Sequence, residues 1–328
     1  MICGLIGYPL GHSYSPQIHR ALADYDYRLW PLKPEELEAF LVKRDFAGIN
    51  VTIPYKERVI PYLDQLSDTA RAIGAVNTVV NRDGKLYGDN TDLAGMLALI
   101  RRTGLALEGK KVLILGTGGT SKTARAAASQ LGAAEVYRVS RSGRDGAVTY
   151  RQAEEEHGDA ACIINTTPCG MYPDLGGCPV ELDGFPCLEG VVDVIYNPLR
   201  SELVLGARQR GIPAEGGLYM LAAQAAYASA LFRGCEATAG DIELAYRTVL
   251  RQMENIVLIG MPSSGKTTVG RLLAQRTGKE FVDTDALVEQ AVGMPVPDYF
   301  AGAGEAAFRE REKEAVASAA ASGGKVIA

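Results

Sequence analysis

Twice along this chain a short apolar strand runs into a glycine-rich loop and then into a helix, and that order limits what the chain can fold into. The first instance is Lys111 to Leu115 (KVLIL), followed by Gly116-Thr117-Gly118-Gly119 and an alanine-rich helix over Ser121 to Leu131. The second is Asn255 to Ile259 (NIVLI), followed by Gly260-Met261-Pro262-Ser263-Ser264-Gly265-Lys266-Thr267 and another helical stretch. A strand that is apolar on both faces must be covered on both faces, the condition of a parallel sheet between helices. The loop then presents backbone N–H groups and a helix N-terminus at the strand end, where a phosphate is stabilised.

The rest of the chain keeps the alternation. Ile2 to Ile6 reads as a strand, Ser15 to Ala23 as a helix opening and Leu29 to Leu32 as a second strand. Pro34 to Lys43 reads as a helix, with proline near its start and Glu35, Glu36 and Glu38 in its first turns, positions that favour both. Gly48 to Ile53 is a strand, and Val76 to Asn81 with Lys85 to Tyr87 form a hairpin around Asp83-Gly84. From about Gly109 the β-α pattern of a doubly wound nucleotide-binding domain takes over, with strands at Glu135 to Val139, Ala160 to Asn165 and Gly190 to Val194. Leu218 to Phe232 and Ala239 to Arg251 are helices long enough to pack back on the first domain. The expected fold class is α/β, with an N-terminal α/β substrate domain over 1–104 completed by helices in 218–251. A Rossmann-like domain follows over 105–217, and then a truncated P-loop α/β segment over 254–328.

Composition narrows the partners. A chain of 328 residues with 47% hydrophobic and 22% charged content is a globular protein with room for two or three domains. Lys+Arg number 34 against 39 Asp+Glu, and the net charge of −5 gives no support to a nucleic-acid partner. The longest apolar stretch, Leu218 to Phe232, carries Gln224 and is too short to span a bilayer. Met1 to Leu10 lacks the charged start and cleavage site of a secretion signal. Cys162, Cys169, Cys178 and Cys187 show no C-x-x-C spacing, so reduced thiols are expected and a zinc site is not. These features predict a cytoplasmic monomer or homodimer acting on small molecules, without membrane or nucleic acid.

The first glycine loop fits a dinucleotide. Gly116 permits the tight turn, and Gly118 and Gly119 let backbone N–H groups approach a pyrophosphate. Ser121 stands where glycine or alanine usually fills the third small position. The end of the next strand selects the cofactor. A carboxylate there would hold the ribose 2′-hydroxyl of NAD. The chain instead reads Val139-Ser140-Arg141-Ser142, with Arg144 nearby. Guanidinium groups bind a 2′-phosphate through charge-assisted hydrogen bonds, so the reading is NADP, held at Ser140, Arg141 and Arg144.

The first domain carries four small polar clusters at strand ends: His12-Ser13-Tyr14-Ser15-Pro16, Asn50-Val51-Thr52-Ile53-Pro54-Tyr55-Lys56, Gly74-Ala75-Val76-Asn77-Thr78 and Gly88-Asp89-Asn90-Thr91-Asp92. Ligands of open α/β sheets bind at such ends, and hydroxyls, amides, one lysine and one aspartate suit a small, hydroxyl-rich carboxylate. With Asn165-Thr166-Thr167-x-x-Gly170-Met171, Asp193-x-x-Tyr196-x-Pro198 and Gly217-Leu218-x-Met220-Leu221-x-x-Gln224-Ala225, these motifs resemble shikimate dehydrogenase over about residues 1 to 251. The resemblance implies that Ser13 and Ser15 hold the substrate carboxylate, and that Thr52, Asn77 and Gln224 hold its hydroxyls. It also assigns Tyr196 to the substrate, Thr166 and Gly217 to the cofactor, and the catalysis to Lys56 and Asp92. The implied reaction is reversible NADP-dependent reduction of 3-dehydroshikimate to shikimate. One departure is Glu202, where proline is usual.

Oxidising a secondary alcohol requires hydride transfer, which the cofactor performs, and movement of the hydroxyl proton, which the protein performs. Lys56 is a group that can move it. Asp92 stabilises a charged lysine, so it reads as an orienting acceptor, and the sequence leaves open which of the two takes the proton. Two other readings fit the residues less fully: a quinate/shikimate dehydrogenase of broader range, and a non-catalytic NADP-binding regulatory protein.

Gly260 to Thr267 fits G-x-x-x-x-G-K-[ST] between a strand and a helix, with Gly260 and Gly265 shaping the loop, Lys266 for phosphates and Thr267 for Mg²⁺. With Phe281-Val282-Asp283-Thr284-Asp285 and Phe308-Arg309-Glu310-Arg311-Glu312 the segment resembles shikimate kinase. That resemblance implies Asp283 near Mg²⁺ and Asp285 and Arg309 on shikimate, and Ser263 replaces a usual glycine. The chain stops at Val326-Ile327-Ala328 inside what reads as a strand, whereas a complete kinase of this type is longer. The expectation is a shortened chain or partial gene product without kinase activity, taking ATP and Mg²⁺ only if the kinase were complete.

Overall fold

The computed structural model describes residues 1–11, 13–261 and 263–328. His12 of the first polar cluster and Pro262 of the second glycine loop lie outside the described residues. The chain divides into two compact units, Met1–Val249 and Leu250–Ala328.

The first unit is built on two sheets. Its elements in chain order are β1 (Ile2–Gly7), α1 (Ser15–Leu22), β2 (Asp26–Pro31), α2 (Leu37–Lys43), β3 (Gly48–Val51), β4 (Gln65–Leu66), α3 (Asp68–Ile73), β5 (Thr78–Arg82), β6 (Lys85–Asp89) and α4 (Thr91–Arg102). These strands form a six-stranded sheet in the order β2-β1-β3-β5-β6-β4. The sheet is mixed: β2, β1 and β3 run parallel, β5 runs antiparallel to β3 and β6, and β4 lies parallel to β6. β5 alone runs against the other five strands, and the predicted hairpin turning at Asp83 and Gly84 is what reverses it. β2 begins at Asp26, three residues before the predicted start, and the predicted helix from Pro34 opens as a 3₁₀ turn before α2.

There follow β7 (Lys111–Leu115), α5 (Gly119–Gln130), β8 (Glu135–Val139), α6 (Tyr150–His157), β9 (Cys162–Asn165), β10 (Gly190–Asp193), α7 (Glu202–Gln209), β11 (Ala214–Glu215), α8 (Leu218–Arg233) and α9 (Ala239–Met253). The second sheet has the order β11-β10-β9-β7-β8, and all its pairs are parallel. The order reverses between β7 and β9, the topological switch point where such sheets bind ligands. Its central strands β7, β9 and β10 are buried on both faces, with Leu113, Leu115, Ile163 and Val191 in one core cluster and Val112, Ile114, Ile164 and Val192 in the other.

Alanine-rich α8 ties the two sheets together. Met220 packs in the core cluster of the second sheet beside Met96 and Ile100 of α4, while Ala228 and Phe232 pack with Cys3 and Val80 of the first. Small residues permit the approach: a Cβ on Gly95 would stand 2.9 Å from the Met220 carbonyl, and one on Gly48 would stand 2.2 Å from the Phe232 ring. Glu202 is the first residue of α7, after a Ser201 hydroxyl that caps Val204 N–H. Proline and an acidic residue both suit that position, which accounts for the departure.

The second unit carries β12 (Ile256–Val257), α10 (Lys266–Thr277), β13 (Glu280–Val282), α11 (Thr284–Val292), α12 (Val296–Ala320, interrupted at Gly304) and β14 (Lys325–Ile327). Its sheet is parallel in the order β12-β14-β13. β12 is shorter than the predicted strand over Asn255 to Ile259, and Ile259 is exposed.

Candidate active site

Strand direction gathers the four polar clusters. Because β1, β3 and β6 point one way and β5 the other, the ends of the first three and the start of β5 lie on one edge of the mixed sheet. The loop after β1 brings Ser13 and Ser15, the loop after β3 brings Thr52 and Lys56, Asn77 precedes β5, and Asn90, Thr91 and Asp92 follow β6. Ser13, Ser15, Thr52, Lys56, Asn77, Tyr196 and Gln224 all line one cavity of about 430 Å³. The Ser13 hydroxyl accepts from Ser15 N–H at 3.2 Å. Asn77 Oδ1 accepts from Thr91 N–H at 2.8 Å and from the Thr78 and Thr91 hydroxyls, which leaves its amide nitrogen as the group it can offer a ligand.

Lys56 is set by its neighbours. Tyr55 is fully buried and its hydroxyl donates to the Leu32 carbonyl at 2.5 Å, while the Lys56 carbonyl accepts from Val76 N–H at 2.7 Å. Asp92 sits in the first turn of α4, with its N–H donated to the Asn90 side chain. Lys56 Nζ donates to Asp92 Oδ2 at 2.6 Å, with side-chain exposures of 33% and 12%, so the pair is desolvated on the carboxylate side and open on the ammonium side. Both residues also line a second cavity of about 320 Å³, whose other wall is Gly119, Thr120, Lys122 and Thr123 of the first glycine loop and helix. Lys56 alone of the pair lines both cavities.

The switch point of the second sheet supplies a cradle. Gly116 has φ +107, and a Cβ there would stand 2.8 Å from the Thr166 hydroxyl, so only glycine fits this turn. Around Gly118 and Gly119 the space is open. Ser121 is fully buried and its hydroxyl donates to the Gly118 carbonyl at 2.6 Å, which closes the turn that a third small residue would otherwise close by size. Ser140 Oγ accepts from Gly143 N–H at 3.1 Å, turning the loop that carries Arg141 and Arg144. Both arginines are exposed, and among the described residues neither makes an ion pair. Open glycine backbone at a helix start, with uncommitted guanidinium groups beside it, fits a dinucleotide carrying a 2′-phosphate.

Two assigned residues act at a distance from the cavities. Thr166 donates its hydroxyl to the Leu115 carbonyl at 2.6 Å, tying the ends of β7 and β9. Gly217 lines neither cavity. A Cβ on it would stand 1.9 Å from the Val194 carbonyl, and its N–H donates to Ile195 at 2.8 Å, so it fixes the backbone that presents Tyr196. Asp193 underlies the same loop. It is fully buried, accepts from Asn165 Nδ2 and Ile195 N–H at 3.0 Å and from the Ser201 hydroxyl, and burial pushes its carboxyl up to about 6.

His19 escaped the sequence reading. It lines the first cavity, is 1% exposed, stacks on Tyr27 at 4.0 Å and 11°, and has Nδ1 2.5 Å from the Tyr25 hydroxyl. Burial pushes its pKa down to about 3, so it stands as a neutral imidazole. Its signal was its place on α1, four residues after Ser15, one helical turn below the cluster.

In the second unit the Thr267 hydroxyl and Asp283 Oδ2 are 3.3 Å apart, an oxygen donor pair that suits Mg²⁺. Lys266 Nζ donates to the Gly260 and Met261 carbonyls at 2.9 and 3.0 Å, and Ser263 adopts φ +62 in place of the usual glycine. Burial raises the Asp285 carboxyl, helped by the negative charges of Asp283 and Glu312. Arg309 is committed to Glu312 at 2.8 Å and Glu305 at 3.6 Å.

A switch-point dinucleotide cradle facing a hydroxyl- and amide-lined pocket, with a lysine–aspartate pair between them, defines a dinucleotide-dependent oxidoreductase of two α/β lobes. Comparison with known proteins gives the family. The model described as "Shikimate dehydrogenase substrate binding domain" matches residues 5–79. The NADP(+) shikimate dehydrogenase of Halothermothrix orenii is 38% identical over 266 residues, covering 71% of this chain and 91% of that protein. That of Moorella thermoacetica is 34% identical over 275 residues, covering 76% and 93%. Among solved structures, a Thermus thermophilus shikimate 5-dehydrogenase in complex with NADP(H) and shikimate matches with TM-score 0.67 at 31% identity, covering 76% of this chain and 99% of that one. A quinate dehydrogenase from Corynebacterium glutamicum in complex with NAD matches with TM-score 0.68 at 28% identity, covering 76% and 98%. The chain belongs to the shikimate dehydrogenase family. The "Shikimate kinase" model matches residues 262–328.

Proposed function

We propose that this protein interconverts 3-dehydroshikimate and shikimate with NADP. The observation that carries the reading is that Lys56, paired with Asp92, lines both the hydroxyl- and amide-lined cavity and the cavity walled by the glycine loop. A proton and a hydride therefore have one meeting point. In this reading residues 1–104 with 218–251 hold the substrate, and 105–217 hold the cofactor.

The bound cofactor supplies the hydride chemistry. The chain's own residues do the rest. Ser13 and Ser15 take the carboxylate, and Thr52, Asn77 and Gln224 take ring hydroxyls from the edge of the mixed sheet. Lys56 Nζ moves the proton at the reacting oxygen. Asp92 Oδ2 holds that ammonium in place, leaving Oδ1 to accept from a substrate hydroxyl. Tyr196 closes the cavity from the cofactor side, on a loop kept in register by Asp193 and Gly217. Arg141 and Arg144 hold the 2′-phosphate.

The six cysteines are free thiols, which fits a reducing cytoplasm as the working compartment. Among the described residues no helix is long and apolar enough to cross a membrane. For the second unit we propose phosphate binding at Gly260 to Thr267 without turnover of shikimate. Arg309, which the resemblance places on the acid, pairs on an exposed helix face with Glu312 and Glu305, partners it would have to give up to bind one.

The test is absorbance at the NADPH wavelength with shikimate and NADP, alongside shikimate-dependent hydrolysis of ATP. Reduction of NADP without ATP hydrolysis supports both halves of the reading. Retained NADPH binding with no turnover would make the protein a regulatory binder, and ATP hydrolysis driven by shikimate would restore the kinase.

A further inference from the structure

Tyr14 stands between Ser13 and Ser15, just before α1, and is half-buried. Its ring meets Tyr196 edge-on, with centroids 6.5 Å apart at 76°, a favourable arrangement for two aromatic quadrupoles. The two residues come from different sheets: Tyr14 from the loop after β1, Tyr196 from the loop after β10. Both line the 430 Å³ cavity together with the two serines. Burial raises both phenols, and Tyr196 raises Tyr14 further, so this end of the cavity is walled by neutral aromatic groups.

We propose that Tyr14, braced by Tyr196, is a specificity-determining residue that favours a flat, unsaturated ring carbon beside the substrate carboxylate over a tetrahedral one bearing a hydroxyl. The inference rests on the proposed function, because it takes the serine pair as the carboxylate seat. In shikimate the carbon bearing the carboxylate is trigonal, so ring and carboxylate lie close to one plane. In quinate that carbon is tetrahedral and carries a further hydroxyl out of the plane. An edge of an aromatic ring between the two serines meets that hydroxyl with carbon. The hydroxyl gives up water without regaining an equivalent bond. Discrimination by such apolar contact is limited to roughly 10- to 200-fold. No hydroxyl-matching group is required, and size and planarity of the wall suffice.

The experiment measures kcat/KM for shikimate and for quinate, with NADP, in the wild-type full chain and in Y14A, Y14L and Y14F. The inference expects Y14A to raise the quinate-to-shikimate ratio by about 10-fold or more, Y14L to raise it less, and Y14F to keep it within about threefold of wild type. A ratio unmoved in both Y14A and Y14L would overturn it. So would a Y14F ratio shifted as far as that of Y14A, which would assign the discrimination to the phenol oxygen. Should Y14A fail to fold, Y14L against Y14F decides alone. Wild-type protein that oxidises neither acid would overturn the proposed function itself, whereas wild-type turnover with a flat ratio across the variants sinks only the role of Tyr14.

Discussion

Lys56 and Asp92 are 36 residues apart in the chain and 2.6 Å apart in space. The first follows β3 and the second opens α4, so the pair exists only because the antiparallel hairpin of β5 and β6 returns the chain to the edge where β3 ends. Asp92→Asn keeps the shape and the helix-start hydrogen bond, which uses the backbone N–H, and removes the charge that holds the ammonium. The expected outcome is a kcat about 10²-fold lower, at the small end of the range for acid–base groups, with an unfolding midpoint close to wild type. Steady-state kinetics and a denaturant titration on the same preparation check both parts.

In the proposed reading Arg141 and Arg144 select the cofactor, and among the described residues they have no carboxylate partner. Arg141→Asp replaces attraction for a 2′-phosphate with repulsion and offers a ribose hydroxyl an acceptor. Hydrogen bonds to charged groups are worth about 1.5–3 kcal/mol, so NADPH affinity is expected to fall by about 10- to 100-fold, while NADH affinity holds or rises. Fluorescence titration with each nucleotide measures this, and unchanged NADPH affinity would contradict the assignment.

Two buried groups give stability an uneven pH dependence. His19, with its pKa lowered to about 3, stays uncharged in the native protein while the unfolded chain takes up a proton below about 6.5. Its contribution is therefore lost as pH falls from about 6.5 toward 3, at up to about 1.4 kcal/mol per pH unit. Asp193 is raised to about 6, above its ordinary carboxylate value, so the native state holds its proton more tightly. That contribution is present at low pH and is lost as pH rises through about 6. The two slopes oppose each other between about pH 4 and 6. Removing one exposes the other: Asp193→Asn should lose stability faster than wild type on acidification through this window, and His19→Gln should lose it more slowly. Denaturant midpoints at pH 4.5 and 6 read out the signs, and parallel curves for the two variants would refute the pairing.

Much of the fold was legible because its elements are locally consistent. The apolar β7 and β9, the glycine turn at Gly116 and the Asp83-Gly84 hairpin each announce themselves within a few residues. The four polar clusters were legible as a set, since each lies next to the end or the start of a strand. What stayed hidden depends on partners distant in the chain. The early start of β2 at Asp26 follows from its pairing with β1, where Asp26 and Tyr27 lie opposite Ile2 and Cys3. The two-residue β4 has no hydrophobic pattern of its own and forms because Gln65 and Leu66 pair with Tyr87 and Gly88. Gly217 reads as a cofactor glycine by motif, yet its lack of a side chain answers the Val194 carbonyl. Arg309 reads as an anion-binding cation, but glutamates one helical turn away on either side claim it.

The most direct test is the kinetics of Lys56→Ala with NADPH and 3-dehydroshikimate. If Lys56 moves the proton and the serine, threonine and amide groups hold the substrate as proposed, kcat is lower by about 10²–10⁴ and KM stays within a few-fold of wild type. A kcat within a few-fold of wild type would show that the ammonium between the two cavities is not where the proton moves.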